Sequence, residues 1–344
     1  MQPADRLLAW YDRHRRDLPW RRSRDPYCIW LSEVMLQQTR VEAVVPFYER
    51  FVARFPTVEE LARAPLDEVL ALWSGLGYYR RARQLHAAAQ RVAAAGGFPR
   101  TYEGLLDLPG IGPYTAAAVA SIAFGAAIPV LDGNVARVLS RVLAQAGDPS
   151  GRTARRRLLA AAAGLLVAGR AGDSNQALME LGATLCLPRQ PRCPRCPLRG
   201  GCLGALEGAP ERYPAARRRR RPERLRLLVA VVERQGRVLL FRRPDASAVL
   251  AGTWELPWVE WGGGEEAARA LADKYGGVWR LGAAAGEVRH GITYRDLAVA
   301  VHRAELEGSG EVREGAEAAW VDALAGLPLS SLVRKVMAVF KAAP

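Results

Sequence analysis

The sequence predicts a chain of two domains, the first all-α and the second α+β. Its 344 residues exceed twice the roughly 150 typical of one domain. Apolar residues recur at helical spacing throughout residues 1–210, whereas strand-like alternation begins only near residue 225. Between them, Pro214, five arginines at Arg217–Arg221 and Pro222 form a stretch that cannot bury an apolar face. We therefore place domains at 1–211 and 225–344, joined by an Arg-rich linker at 212–224.

Helical periodicity predicts eight helices in the first domain, separated by short Pro and Gly turns. Their ranges are Tyr27–Thr39, Val41–Phe55, Leu66–Trp73, Arg80–Ala94, Thr115–Ala123, Val135–Leu143, Ala154–Val167 and Ser174–Leu185. In the second domain, alternation predicts strands at Leu225–Glu233, Arg237–Phe241, Val278–Leu281 and Leu297–His302, and periodicity predicts helices at Glu265–Tyr275 and Ser331–Lys341. This mixture of strands and helices is typical of an α+β domain.

The charge of the chain is concentrated in its first part. Residues 1–221 hold 33 Arg and no Lys against 19 acidic residues, a net charge of +14. Residues 222–344 hold 13 Arg and 3 Lys against 16 acidic residues, and are neutral. A GC-rich genome explains arginine in place of lysine, but it does not explain why one part is basic and the other neutral. The distribution favours a polyanionic partner such as nucleic acid.

The same composition argues against membrane insertion and secretion. No run of 18 apolar residues free of charge exists, so no membrane span is expected. The first 20 residues carry a charged segment at Asp12–Asp17 where a signal peptide has an apolar stretch. We therefore expect a cytoplasmic protein.

Four of the five cysteines lie within 17 residues, at Cys186, Cys193, Cys196 and Cys202. Four thiolates in one short loop of a non-secreted chain indicate a metal site rather than disulfides, either zinc or an iron–sulfur cluster. The four histidines lie far away in the sequence, so ligation would be by cysteine alone. Zinc ribbons usually supply two C-x2-C knuckles, and only one is present here. The fifth cysteine, Cys28, is expected to pack as an apolar residue.

The stretch Leu108–Ala116, LPGIGPYTA, predicts a helical hairpin that binds phosphate. Gly110 and Gly112 expose backbone N–H groups, and Pro113 suits the first position of the following helix. A helix N-terminus presented in this way can bind an anionic oxygen without a side chain. An ordinary tight corner between helices is the alternative, and two glycines alone would favour it. The stretch is similar to the helix-hairpin-helix signature of DNA repair enzymes, and together with the basic charge and the cysteine loop this similarity favours phosphate binding.

Two carboxylates stand in contrasting surroundings. Glu33 lies in an otherwise apolar helical run, where desolvation favours its neutral, proton-donating form. Asp132 directly precedes the helix at Val135–Leu143, whose N–H groups favour the ionised form. An exposed position for Glu33 and a simple N-cap for Asp132 are the alternatives. An acid paired with an anion suits cleavage of an N-glycosidic bond, because the departing base needs a proton and the sugar becomes cationic.

Together these motifs resemble the MutY family of adenine DNA glycosylases, in the endonuclease III superfamily. The cysteine spacing is similar to the [4Fe-4S] loop of that superfamily, which favours iron–sulfur over zinc. The similar stretches are Leu18–Arg21 (LPWR), Trp30–Thr39 (WLSEVMLQQT), Leu72–Ala82 (LWSGLGYYRRA), Leu108–Ala116 and Leu131–Arg137 (LDGNVAR). Residues 225–344 resemble the degenerate Nudix-type domain of the family. The resemblance implies an all-α helix-hairpin-helix glycosylase domain with an iron–sulfur loop at 186–202, followed by an α+β Nudix-like lesion-recognition domain.

The resemblance also implies an activity, the hydrolytic removal of adenine mispaired with 8-oxoguanine or guanine in double-stranded DNA. Glu33 would protonate adenine and Asp132 would stabilise the oxocarbenium ion, with Tyr114 and Asn134 assisting. The adenine pocket would be lined or supported by Arg16, Leu18, Arg21 and Glu180. The opposing 8-oxoguanine would be held by Gln38, Thr39, Leu76 and Tyr78. We expect a monomer associated with the nucleoid, and the sequence identifies no protein partner.

Three alternative functions can be weighed against the sequence. A pyrimidine glycosylase with lyase activity, similar to endonuclease III, has a lysine nucleophile where this chain has Tyr114, and residues 1–221 contain no lysine. A Nudix hydrolase needs magnesium-binding glutamates, but the sequence runs from Gly264 through two glutamates to Ala270–Lys274 without them. A lesion-binding protein without activity would not need both Glu33 and Asp132. Monofunctional hydrolysis is therefore favoured.

One stretch departs from the family. Its members contact 8-oxoguanine through a Phe-Ser-His loop that a histidine precedes, and His290–Tyr294 occupies that place with Ile-Thr-Tyr. Thr293 keeps a hydroxyl, whereas the aromatic and imidazole groups are replaced. We expect Thr293 to contact the lesion, with a preference for 8-oxoguanine that this departure alters.

Overall fold

The computed structural model describes residues 2–215, 221–247, 249–261, 264–292, 294–307 and 317–343. Two compact units are present, Met1–Ala62 with Ala87–Arg218, and Arg63–His86 with Arg219–Pro344. The grouping of 63–86 with the C-terminal residues is not predicted by periodicity. Residues 216–220 of the predicted linker lie outside the described residues. None of the described helices has the combination of length and apolar character that a membrane span requires.

Residues 2–215 are helical, as predicted. Twelve α-helices are described there: α1 Pro3–His14, α2 Pro26–Leu36, α3 Val41–Arg54, α4 Val58–Arg63, α5 Leu66–Trp73, α6 Tyr79–Ala94, α7 Tyr102–Leu106, α8 Pro113–Phe124, α9 Gly133–Val142, α10 Arg152–Ala163, α11 Ala171–Thr184 and α12 Leu203–Leu206. All eight predicted helices are confirmed. α2 ends three residues early, before Gln38 with φ 60°. α10 ends four residues early, at Ala163 before Gly164.

The core of the first unit is built from helices distant in sequence. Buried apolar residues of α1, α8, α9, α10 and α11 form one cluster, with Leu198 of the cysteine loop in it. α8 packs so closely on α11 that a Cβ on Gly172 would stand 2.6 Å from the backbone oxygen of Ser121. This packing fixes the ends of α8, α9 and α11 relative to one another, and those ends carry the predicted functional residues.

From residue 221 onward, the described residues form two sheets and two helices. The elements are β1 Glu223–Val231, β2 Glu233–Arg234, β3 Arg237–Arg242, β4 Trp254–Glu255, β5 Trp258–Glu260, α13 Gly264–Tyr275, β6 Val278–Ile292, β7 Arg295–Glu307, β8 Ala318–Val321 and α14 Ser331–Ala342. One sheet has the order β5-β1-β7-β6, with β1 and β7 parallel, and the other joins β2, β3, β4 and β8. α14 and α13 belong to two separate apolar clusters that include alternate residues of β1.

The predicted strands and helices of this part are confirmed, but β6 and β7 are longer than predicted. β6 continues through Gly282–Gly286, which lacks apolar alternation, because cross-strand pairing with β7 supplies its hydrogen bonds. The pairing is irregular there, with register shifts between Leu281 and Gly286. β4, β5 and β8 have two to four residues each, too few for a periodic signal.

Candidate active site

The first unit contains a cavity of about 640 Å³. Its wall is formed by the end of α2, the starts of α8 and α9, one face of α11, and the segment between α1 and α2. Ten residues predicted from sequence line it: Arg16, Leu18, Arg21, Glu33, Gln38, Thr39, Tyr114, Asp132, Asn134 and Glu180. The fold thus brings together groups that are up to 164 positions apart in the chain.

Glu33 lies near the end of α2 and is 7% exposed. The Tyr114 hydroxyl donates a hydrogen bond to Glu33 Oε2 at 2.6 Å. Burial raises the pKa of Glu33 to about 7, although the hydrogen bond from Tyr114 lowers it; the charge of Asp132 raises it further and that of Arg21 opposes the rise. A carboxyl group with this pKa is partly protonated near neutral pH, so it can donate a proton.

Asp132 is the N-cap of α9. Its Oδ1 accepts a hydrogen bond from the Val135 amide at 2.7 Å, and its Oδ2 accepts one from Asn134 Nδ2 at 3.0 Å. Both oxygens therefore act as acceptors, the role of an ionised carboxylate, and the start of the helix favours negative charge. Glu33 and Asp132 thus have different hydrogen-bond partners within one cavity.

Asn134 is held by Arg137, which also lines the cavity. Arg137 Nη2 donates to Asn134 Oδ1 at 2.9 Å and to the Gly182 carbonyl at 2.8 Å, while its Nε donates to the Cys186 carbonyl at 2.9 Å. Gly182 allows this approach, because a Cβ there would stand 2.7 Å from Asn134 Cβ. Hydrogen bonds thus run from the backbone of Cys186 to Asp132. The i,i+3 spacing of Asn134 and Arg137 is the signal that could have identified this arginine.

Glu180 forms a buried ion pair with two arginines. Arg16 Nε stands 2.7 Å from Glu180 Oε1, and Arg21 Nη2 stands 2.7 Å from Oε2. The Glu180 side chain is 0% exposed. Burial would raise the pKa of Glu180, but the hydrogen bonds and charges of Arg16 and Arg21 outweigh that effect and lower it. The three side chains form a polar wall whose position is fixed by mutual pairing.

Among the other lining residues, Met179 and Gln176 carry no recognisable sequence signal. Met179 Sδ lies 3.1 Å from the Tyr114 hydroxyl oxygen, and Trp20 and Gln176 also line the cavity. A methionine on a buried helix usually belongs to a core, so no local pattern marks Met179 as a neighbour of the acid.

The predicted phosphate-binding hairpin consists of α7, the turn containing Gly110 and Gly112, and α8. Gly110 has φ 74°, a left-handed conformation that favours glycine. Gly112 is the N-cap of α8 with φ −92°, and a Cβ added there would meet nothing within 4 Å. The fold therefore favours glycine at position 110, while at position 112 it leaves open space beside the helix N-terminus.

The four loop cysteines line one small cavity, together with residues of α9 and α12. In the described part of the chain, no three His, Cys, Asp or Glu groups converge as ligands of a single metal ion. A cubane cluster has a different requirement, because each of its thiolates binds a different iron. Arg141 Nη1 lies 3.3 Å from Cys186 Sγ, and burial raises the pKa of Cys196 to about 11. Four cysteine sulfurs around an apolar cavity beside a cation are a donor set that would fit an anionic iron–sulfur cluster.

Three predicted residues lie elsewhere. Leu76 and Tyr78 belong to the second unit, in the turn between α5 and α6. Leu76 is buried, whereas Tyr78 is 45% exposed with φ 52°, and the Arg81 guanidinium lies 5.2 Å from its ring centroid. Thr293 lies outside the described residues, between the end of β6 and the start of β7.

The helical fold, the hairpin and the paired carboxylates define a base excision DNA glycosylase of the helix-hairpin-helix class. Residues 31–162 match the HhH-GPD superfamily of base excision DNA repair proteins, and residues 228–339 match the NUDIX domain. A thermostable thymine-DNA glycosylase of known structure is 32% identical, with a TM-score of 0.54 over 59% of this chain and 95% of its own. An endonuclease III in a complex with DNA is 22% identical with a TM-score of 0.51, which shows a shared fold.

The chain belongs to the adenine DNA glycosylase family. The human adenine DNA glycosylase is 38% identical over 89% of this chain and 67% of its own length. The rat enzyme is 41% identical over 74% of this chain and 59% of its own length. The Schizosaccharomyces pombe enzyme is 34% identical over 74% of this chain and 69% of its own length. The chain thus spans about three fifths to two thirds of these relatives, and it is a base excision repair glycosylase.

Proposed function

We propose that this glycosylase hydrolyses the N-glycosidic bond of adenine opposite 8-oxoguanine or guanine in duplex DNA. The observation that carries the proposal is the cavity in which the buried Glu33, hydrogen-bonded to Tyr114, faces the same space as the helix-capping Asp132. The adenine glycosylase relatives support adenine as the base removed.

The proposed reaction has two steps. Glu33 donates its proton to a ring nitrogen of adenine, and the electrons of the N-glycosidic bond leave with the base. The sugar becomes an oxocarbenium ion, which the Asp132 carboxylate stabilises; Asn134 keeps that carboxylate oriented. Water then adds to the sugar carbon, and the proton it releases restores Glu33. Atoms and charge balance without a co-reactant.

Base recognition would rest on the remaining cavity residues. Leu18 and the paired side chains of Arg16, Arg21 and Glu180 would line or support the pocket of the extruded adenine. Tyr78 is exposed in its turn, as an intercalating side chain has to be. We assign contact with the opposite base to Gln38, Thr39, Leu76 and Tyr78, as the family resemblance implies.

Two alternatives lack a necessary group. A lyase reaction needs an amine nucleophile, and no lysine occurs in residues 1–221. A Nudix hydrolase needs carboxylates for magnesium. The end of α13 has Lys274 among the positions where the Nudix pattern has glutamates. The Lys274 nitrogen lies 3.3 Å from the Trp258 ring centroid and donates a hydrogen bond to the Trp258 carbonyl at 3.0 Å. These observations favour monofunctional hydrolysis.

The test is Glu33→Gln. The amide cannot donate the required proton, so adenine release from an A:8-oxoguanine duplex should fall by at least about 10²-fold under single-turnover conditions. Duplex binding should stay within a few-fold, because phosphate contacts lie elsewhere. Glu59→Gln, at an exposed position on α4, is the matched control. Release by Glu33→Gln within a few-fold of wild type would exclude Glu33 as the acid.

A [4Fe-4S] cluster is the proposed cofactor, held by Cys186, Cys193, Cys196 and Cys202. When bound, it supplies a rigid anionic centre that fixes the loop and its arginines, and hydrolysis needs no electron transfer from it. Anaerobically purified protein should contain about four irons per chain and be yellow-brown. Cys196→Ser should lose iron, whereas Cys28→Ser, outside the loop, should retain it. Stoichiometric zinc without iron would contradict the assignment.

A further inference from the structure

The Tyr114 hydroxyl has two acceptors in the cavity wall. Its oxygen stands 2.6 Å from Glu33 Oε2 and 3.1 Å from Met179 Sδ. A tyrosine hydroxyl carries one hydrogen, so it can donate fully to only one of them at a time. Burial and the negative charge of Glu33 raise the pKa of Tyr114 well above its usual value, so the hydroxyl keeps its hydrogen. The hydroxyl hydrogen can therefore change its direction, but it is not lost.

We propose that Met179 is a positioning residue whose sulfur accepts the Tyr114 hydroxyl when Glu33 carries its proton on Oε2. When Glu33 is ionised, Tyr114 donates to Oε2 in a charge-assisted hydrogen bond. When the proton sits on Oε2, Glu33 donates to the Tyr114 oxygen, and the tyrosine hydrogen turns to Met179. When the proton sits on Oε1, Tyr114 still donates to Oε2. Met179 thus allows one more hydrogen-bonded arrangement of Tyr114 when Glu33 is protonated, and none when Glu33 is ionised.

The other charged groups of the cavity do not change when Met179 is replaced. Asp132 at the start of α9 raises the pKa of Glu33, and Arg21 before α2 lowers it. Arg137 on α9 is bound to Asn134, and Arg16 is paired with Glu180 on α11. Since Met179 is uncharged, its substitution changes the acid through Tyr114 alone.

The expected signature of Met179→Leu is a displaced pH profile. Leucine has a similar volume without an acceptor, so only the protonated form of Glu33 loses an arrangement. The pH at which the rate of adenine release declines should be lower than in wild type by about 0.3 to 0.7 pH unit. At pH values below the decline, the rates of Met179→Leu and wild type should converge. A purely structural role would lower the rate equally at every pH.

Tyr114→Phe supplies a test with the opposite sign. This substitution removes the hydrogen bond that lowers the pKa of Glu33, so adenine release should decline at a higher pH than in wild type. If Met179 acts through the hydroxyl, adding Met179→Leu to the Tyr114→Phe variant should cause no further shift. Ile122→Val, another apolar substitution in the same lining, should leave the position of the decline unchanged.

The experiment measures single-turnover adenine release from an A:8-oxoguanine duplex by the full chain, from about pH 5.5 to 9. An equal rate loss at all pH values, or the same shift when Tyr114→Phe is already present, would overturn the role of Met179. The inference rests on the proposed function, with Glu33 as the acid. A wild-type profile without a decline at high pH would overturn that role and this inference together, whereas a decline that Met179→Leu leaves in place overturns only the latter.

Discussion

Burial of Glu33 destabilises the folded chain whenever that carboxyl is ionised. Its pKa in the folded state is about 7, above the ordinary value of 4.5. Because the folded state binds the proton more tightly than the unfolded state, the stability that Glu33 contributes is fully present below pH 4.5. It is lost as the pH rises through about 7. The acid that catalysis needs therefore makes the fold less stable at alkaline pH.

Glu33→Gln should accordingly stabilise the protein at high pH and not at low pH. Glutamine cannot ionise, and its carbonyl oxygen can still accept from Tyr114. The free energy of unfolding of Glu33→Gln minus that of wild type should increase by about 2–3 kcal/mol from pH 5 to pH 8.5. Urea unfolding at both pH values measures this, with Glu59→Gln as the control. A pH-independent difference would mean that Glu33 is not buried in the state that unfolds.

Local sequence context predicts only part of the candidate site. Glu33 among apolar neighbours and Asp132 before a helix are both visible in one stretch of chain, because their surroundings follow from helical spacing. Arg137 lies three positions from Asn134 on α9, whereas Met179 becomes a neighbour of Tyr114 only when α8 and α11 pack together. A contact of that kind is a tertiary property that periodicity does not encode.

Among the elements, the turn of the hairpin contains a glycine, Gly112, that folding does not require and that DNA binding would use. A Cβ on Gly112 would meet no protein atom, and φ −92° is open to other residues. A bare amide there is useful only to a ligand that approaches the backbone closely.

Gly112→Ala should therefore leave the unfolding midpoint nearly unchanged and weaken duplex binding by roughly three- to tenfold, because a methyl group would hold the phosphate away from the amides. Gly110→Ala should instead lower stability by about 1 kcal/mol, since φ 74° strains any side chain. Gly264→Ala, at another position with open space, is the control for both. Fluorescence anisotropy at one fixed salt concentration and thermal unfolding distinguish the two effects. Unchanged duplex affinity in Gly112→Ala would remove this turn from the DNA interface.

Some element boundaries follow from the sequence alone. α5 begins and ends where predicted, because its apolar face spans two full turns. β6 is longer than its periodicity predicts, because its Gly282–Gly286 stretch forms a strand through pairing with β7. Periodicity does not predict α1, because charged residues flank a buried face of only Leu7, Leu8, Trp10 and Tyr11.

Across the whole molecule, charge and chemistry are divided along the chain. The excess of +14 lies in residues 1–221, which also hold both carboxylates, the hairpin and the cysteine loop. The neutral residues 222–344 match a NUDIX domain but lack its carboxylate pattern. Their neutral charge and their departure from the glutamate pattern support our proposal that these residues serve recognition.

Thr293→Ala in the full chain should therefore reduce discrimination while leaving excision intact. One or two lost hydrogen bonds to the lesion are worth about 1–3 kcal/mol, so the preference for A:8-oxoguanine over A:G should fall roughly ten- to a hundredfold. The rate on A:G should change little, since Glu33 and Asp132 are untouched. Arg280→Ala, an exposed change on β6, is the matched control, and Tyr294→Ala should have a smaller effect. Single-turnover rates on both duplexes at one salt concentration give the ratio. A ratio that Thr293→Ala leaves unchanged would mean that lesion preference is set in residues 1–221, by Gln38, Thr39 and their neighbours.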